Sequence, residues 1–237
     1  MVKVICYLSN GYPTPEETIK TADYYVEGQC DIIEIDLPTD NPYLDNELIG
    51  GRMKASYQHD PSFSAHLETV KTIREKHPTQ EMLFLSYESS IKTVGVEKFI
   101  SFCQEHNILD IILVGNEDNV VKNQLMAAGI KVSSFIPYHL PQEEIDLAKN
   151  SNGFIYLQAK STGKEKEGCH TLKECIDYLR GLGLSQPIYC GMGISTREDI
   201  ELVEKSGGDG AFIGSAVLKL QEEPAKLVSF IQELKGN

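Results

Sequence analysis

Positive charge is scarce in this 237-residue sequence: 22 Lys and Arg stand against 35 Asp and Glu, a formal charge of -13. Such a surface repels nucleic-acid phosphates and anionic lipid headgroups, which sets aside nucleic-acid and membrane-surface partners. Metal-ligand spacing is absent too. The six cysteines, at 6, 30, 103, 169, 175 and 190, include no CxxC pair, and the histidines, at 59, 66, 77, 106, 139 and 170, include no HExxH. No metal is expected, and the thiols read as free, reduced and mostly packing residues. No Ser/His/Asp or Cys/His nucleophile arrangement stands out, and His77 and His106 read as solvated helix-end residues. No apolar run is long enough for a membrane span, and MVKVICYLSNGYP turns polar without a small-residue cleavage site; a cytoplasmic protein is expected. No polar linker divides the chain, so residues 1–237 read as one domain.

What is present is alternation. Short β-branched apolar runs at Val2–Leu8, Asp31–Asp36, Met82–Ser86, Asp110–Val114, Lys131–Ile136, Gly153–Gln158, Pro187–Gly191 and Gly208–Ile213 are separated by amphipathic stretches. Most of the runs lack in/out alternation, which means burial on both faces. Helix starts are marked at Thr14-Pro15-Glu16-Glu17, at Ser62 before the run ending in Lys76-His77-Pro78, at Pro141-Gln142-Glu143-Glu144 and at Ser195-Thr196-Arg197-Glu198. Hydroxyl caps, proline and early acids suit the unpaired N–H groups of a helix start. Eight strands each followed by a helix predict an α/β fold, a single (β/α)8 TIM barrel, over an open doubly wound sheet. Chemistry then belongs at the C-terminal ends of the strands.

Two constellations lie there. The first is PIYCGMGISTREDIELVEKSGGDGAFIGSAVLKL, residues 187–220, in which Gly191-Met192-Gly193 and Ile213-Gly214-Ser215 close consecutive strands. Glycine lets an anion approach the backbone and a helix start favours negative charge, so a phosphate site is expected. Thr162-Gly163, in the polar stretch 159–168 with Lys160, Lys164 and Lys166, is a candidate lid contribution. The second is IIEIDLPTDNPYLD, residues 32–45. Glu34 and Asp36 share one strand face, into the barrel mouth, while Ile33 and Ile35 face helices. A carboxyl in an apolar strand has a raised pKa and suits a proton shuttle, unless a lysine or hydroxyl pairs with it. Asp45 reads from composition as a cap or a solvent-facing acid.

Along almost its whole length the chain resembles the tryptophan synthase alpha subunit family, most specifically in IIEIDLPTDNPYLD and, more generally, in GMGISTREDIELVEKSGGDGAFIGSAVLK. SNGYPTPEET, the TIREKHP helix end and Tyr87 are weaker matches. The resemblance implies retro-aldol cleavage of indole-3-glycerol phosphate to indole and glyceraldehyde 3-phosphate, without a cofactor in this subunit. It makes Glu34 the general acid/base, Asp45 the carboxylate on the indole N–H, Gly163, Gly193, Gly214 and Ser215 the phosphate cradle, and Tyr87 a pocket tyrosine. It also implies a phosphorylated small-molecule substrate and a tryptophan synthase beta subunit as partner. The chain departs from the family pattern at Asp36, where members have glycine, at Thr39-Asp40-Asn41 and Asn46–Gly50, at Asn116 in place of an aspartate, and at Lys160 in place of an arginine. Asp36 is thus a candidate modifier of Glu34. Two other readings stay open: a paralogous barrel enzyme for another phosphorylated molecule, and a catalytically weak ligand-binding regulatory subunit.

Overall fold

A computed structural model describes residues 2–115 and 119–236. In chain order its elements are β1 (Lys3–Leu8), α1 (Pro15–Glu27), β2 (Ile32–Leu37), α2 (Glu47–His59), α3 (Ser64–Lys76), β3 (Glu81–Tyr87), α4 (Glu88–Val94), α5 (Val96–Glu105), β4 (Asp110–Val114), α6 (Val120–Ala127), β5 (Lys131–Val132), β6 (Ser134–Ile136), α7 (Gln142–Lys149), β7 (Ile155–Gln158), α8 (Leu172–Gly181), β8 (Ile188–Gly191), α9 (Arg197–Ser206), β9 (Gly210–Ile213), α10 (Ser215–Lys219) and α11 (Pro224–Lys235).

All strand pairs are parallel, in the order β5-β4-β3-β2-β1-β9-β8-β7-β6. The two ends of that order are adjacent in sequence. The Ser133 amide donates to the Ile111 carbonyl at 2.9 Å, and the Ser134 amide to the Phe154 carbonyl at 3.1 Å. The expected fifth strand, Lys131–Ile136, therefore changes partner at Ser133 and closes the ring, and the fold is the (β/α)8 TIM barrel.

The pleat sorts side chains into two cores. Cys6, Leu8, Ile33, Ile35, Leu37, Phe84, Ile155 and Leu157 belong to the layer between strands and helices. Ile5, Tyr7, Ile32, Leu83, Leu85, Tyr87, Ile112, Phe154 and Phe212 fill the barrel interior. Successive strand residues point to opposite faces, so Glu34 and Asp36 share the interior face with Ile32.

Helix starts follow the expected chemistry with one shift. The Thr14 hydroxyl accepts from the Glu17 amide, with Pro15 in the first turn, and Thr196 forms a capping box with Asp199. The third helix begins at Ser64 rather than Ser62. Asp60 performs the capping there: its carboxylate accepts from the Ser62 amide at 3.0 Å and from the Ala65 amide at 2.7 Å. All six cysteines are buried free thiols. No helix among the described residues is long and apolar enough to cross a membrane.

Candidate active site

A cavity of about 1390 Å³ opens at the C-terminal ends of the strands, and Glu34, Asp45, Tyr156, Phe212, Gly193 and Ser215 are among its lining residues. Its flat apolar wall comes from the strands: the Tyr156 and Phe212 rings stack at 4.5 Å with 26° between planes. Gly191 makes room for that stack, because a Cβ there would stand 2.3 Å from the Tyr156 ring. It is thus an interior packing position, whereas the sequence had offered a phosphate role.

Glu34 is 6% exposed, and no side-chain or backbone group among the described residues hydrogen-bonds to it. Among the described residues, no lysine or hydroxyl pairs with it to make it structural. Burial first, then the negative charges of Asp45 and Asp36, push its carboxyl up to about 8. A protonated carboxyl inside an apolar barrel is the state the physics favours near neutral pH.

Asp45 is half-buried, not a free surface acid or a helix cap. The Tyr87 hydroxyl, at the end of β3, donates to its carboxylate at 2.5 Å, and the Leu44 amide donates to the same hydroxyl at 3.2 Å. Burial raises the Asp45 pKa, and the tyrosine hydrogen bond opposes it. Tyr87 itself is buried behind Asp45 and acts on the cavity through it. Asn46 caps α2 by accepting from the Leu48 and Ile49 amides, and its amide donates to the Ser215 hydroxyl at 3.4 Å. The loop that carries Asp45 is thereby tied to the end of β9.

Gly193, Gly214, Ser215 and Thr162 all line this cavity; Gly163 lies beside Thr162, exposed, and outside the lining. Gly193 has φ +101° and a Cβ there would touch the Lys160 stem at 3.0 Å, so two constraints ask for glycine. The Lys160 ammonium pairs with Asp199 at 2.7 Å, and Lys166 lies over the Tyr178 ring at 5.0 Å. An anion beside Gly193, Gly214 and Ser215 would meet backbone N–H groups and hydroxyls, with Lys219 also in the cavity lining. Asn116 lies outside the described residues.

Asp36 is 1% exposed. The Tyr7 hydroxyl donates to one of its oxygens and the Asn10 amide to the other, at 2.9 Å. Asn10 is itself anchored by a cluster the sequence did not disclose. The Ser56 hydroxyl donates to the Asn10 carbonyl and lies 2.9 Å from His66 Nε2, while His66 Nδ1 is 4.0 Å from Asp60. These three residues have nucleophile-triad identities, but Ser56 and His66 are buried outside the cavity and the Ser56 proton is committed to Asn10. The cluster is a brace. Its members come from α2, α3 and the turn before α3, so no short motif announces it. His77, by contrast, is a helix end paired to Asp23 at 2.7 Å.

Comparison with known proteins adds an independent line. A family model described as tryptophan synthase alpha chain matches residues 2–235. The tryptophan synthase alpha chain of Aquifex aeolicus is 28% identical over 242 residues, spanning 98% of this chain and 91% of the relative. That of Proteus mirabilis is 26% identical over 245 residues, spanning 97% and 90%. Among solved structures, a chain of the tryptophan synthase a2b2 complex of Pyrococcus furiosus matches with a TM-score of 0.83 at 21% identity, over 100% of both chains. Tryptophan synthase from M. tuberculosis matches with 0.83 at 20% identity, over 99% and 92%. These two are likenesses of fold.

Proposed function

The chain belongs to the tryptophan synthase alpha chain family, lyases of tryptophan biosynthesis, and from that premise we propose that it cleaves indole-3-glycerol phosphate to indole and glyceraldehyde 3-phosphate. The observation that carries the reading is Glu34: a buried, unpartnered carboxyl in the same cavity as Asp45 and the Gly193/Gly214/Ser215 corner.

Cleaving this carbon–carbon bond needs a proton on the indole ring carbon and removal of the proton from the neighbouring glycerol hydroxyl. Glu34 supplies the first proton from its carboxylic acid form. The resulting carboxylate takes the hydroxyl proton as the bond breaks, so the acid form is regenerated with each turnover. Asp45, held by Tyr87, accepts the indole N–H and offsets the positive charge that spreads over the ring. The Tyr156/Phe212 wall receives the flat indole. Gly193, Gly214 and Ser215, with Thr162 from the adjoining loop, take the phosphate, and Gly163 stands at the rim beside Thr162. The scheme uses no cofactor. Exposed Tyr43, Leu44, Phe135 and Met192 at the cavity side of the barrel supply an apolar rim suited to a tryptophan synthase beta subunit.

The test is indole release from indole-3-glycerol phosphate by the purified chain, with and without a tryptophan synthase beta subunit, alongside Glu34→Gln. Turnover that the partner stimulates and the variant lacks supports the reading. No indole in either condition, or normal turnover by Glu34→Gln, overturns it. Binding of a phosphorylated ligand without lysis of this substrate would then favour a paralogous enzyme or a regulatory subunit.

A further inference from the structure

A single carboxyl that gives a proton before it takes one must start each cycle protonated. Glu34 stands one pleat, roughly 7 Å along the strand, from a second buried carboxyl on the same face, Asp36. Two buried carboxyls on one strand face disfavour each other's ionisation, so the one that ionises first holds the proton on the other. Which is which is decided by hydrogen bonds. Both oxygens of Asp36 accept, one from the Tyr7 hydroxyl and one from the Asn10 amide. Donors of that kind stabilise a carboxylate. Glu34 accepts from no described residue.

Tyr7 is suited to enforce the difference. It is the β1 residue in register with Glu34, and its ring passes Glu34 so that the hydroxyl ends on Asp36. Asn10 is held from two sides: its side-chain amide donates to the His66 carbonyl at 3.3 Å, and its own carbonyl accepts from Ser56. The other ionisable groups acting on Glu34 are Asp45, from the loop after β2, and Asp36; Tyr156 faces it from β7. On Asp36 they are Tyr7 and Asp45. Of the lysines that line the cavity, Lys160 pairs with Asp199, and Lys122 and Lys219 are the other two.

We propose that Asp36 is a positioning residue for the reaction: fixed as the carboxylate of the pair by Tyr7 and Asn10, it keeps the transferable proton on Glu34 in the resting protein. The proposal rests on Glu34 being the acid/base and deepens that reading. Burial pushes both carboxyls up, and only Asp36 has hydrogen bonds, from Tyr7 and Asn10, that pull against that rise.

The test needs no substrate. Carboxyl carbons of the full chain, labelled with ¹³C, are titrated by NMR, with Glu34→Gln and Asp36→Asn identifying the two signals. At pH 7 the Glu34 signal is expected in its protonated position with Asp36 the more ionised of the two. Asp36→Asn removes one of the two negative neighbours of Glu34, Asp45 being the other, and lowers the Glu34 midpoint by up to about one unit; Tyr7→Phe removes one donor and raises the Asp36 midpoint by about one unit. Asp36 protonated while Glu34 is ionised at pH 7, or a Glu34 midpoint that neither variant moves, overturns the proposal. A second arm reads the alkaline limb of kcat/KM for indole release, which reports the free protein and in Asp36→Asn moves to lower pH by the same amount as the midpoint. If no condition yields indole, the substrate reading fails while the carboxyl titration still decides the role of Asp36.

Discussion

Gly191 offers the sharpest structural test, because its demand for a missing side chain can be worked out in ångströms. A methyl group there would lie 2.3 Å from Cε2, 2.4 Å from the hydroxyl oxygen and 2.6 Å from Cζ of Tyr156. Carbon pairs rest at about 3.5–4.0 Å, so something must move by about 1 Å or more. The ring is held on one side by Phe212 at 4.5 Å and edge-on by Phe135 at 5.7 Å. The backbone is held by pairing with β7 and by the Ala159 amide, which donates to the Gly191 carbonyl at 2.7 Å. Overpacking of this kind costs about 1–3 kcal/mol, which for a chain of this size lowers Tm by roughly 2–12 °C. Gly191→Ala measured by urea and thermal unfolding should show that loss. In a Tyr156→Ala background the clash has no second partner, and the same substitution should cost little, so a double-mutant cycle returns a coupling near the full single-variant loss. Wild-type stability for Gly191→Ala, or an undiminished cost in the Tyr156→Ala background, would refute the packing argument and return Gly191 to the phosphate role.

Other expectations follow from the carboxyls and their braces. Since the folded pKa of Glu34 is raised to about 8 from an ordinary 4.5, the native state keeps a proton the unfolded chain loses, and this contribution disappears as pH rises from 4.5 through 8. Glu34→Gln should therefore be more stable than wild type at pH 9 by on the order of a few kcal/mol and nearly equal to it at pH 4, read from paired urea curves. Tyr87→Phe, which strips the 2.5 Å hydrogen bond from Asp45, should lower kcat/KM for indole release by roughly 5- to 100-fold with the fold intact; an unchanged value would remove Tyr87 from the account. His66→Ala should cost about 1–3 kcal/mol by leaving Ser56 and the Asn10 loop unbraced. Burial lowers the His66 pKa, so its stabilising share is lost as pH falls below about 6.5, and the variant should lose less stability than wild type on acidification.

The pattern of legibility follows from which interactions are local. Apolar runs bounded by caps and turns are local, so β2 was readable to within a residue and the faces of Glu34 and Asp36 followed from its pleat. The start of α3 lies beyond Ser62 because Asp60 reaches forward five residues to the Ala65 amide, while the Ser62 hydroxyl accepts only from the Ser64 amide, at 3.4 Å. The partner change at Ser133 was invisible because it depends on which strands flank the segment after the ring closes, not on the composition of Lys131–Ile136. The same holds with more consequence at the site. Composition could say that an acid stands at 45, but only the fold brings Tyr87 to it across 42 positions; it could say that Asp36 is an extra carboxyl, but not that Tyr7, 29 positions earlier, ends on it. A charged residue in an apolar strand marks where chemistry is affordable to look for, and its role is set by donors that arrive from other strands. Two acids on one face of one strand therefore carry opposite assignments: the acid with donors becomes the fixed charge, and the acid without them holds the mobile proton.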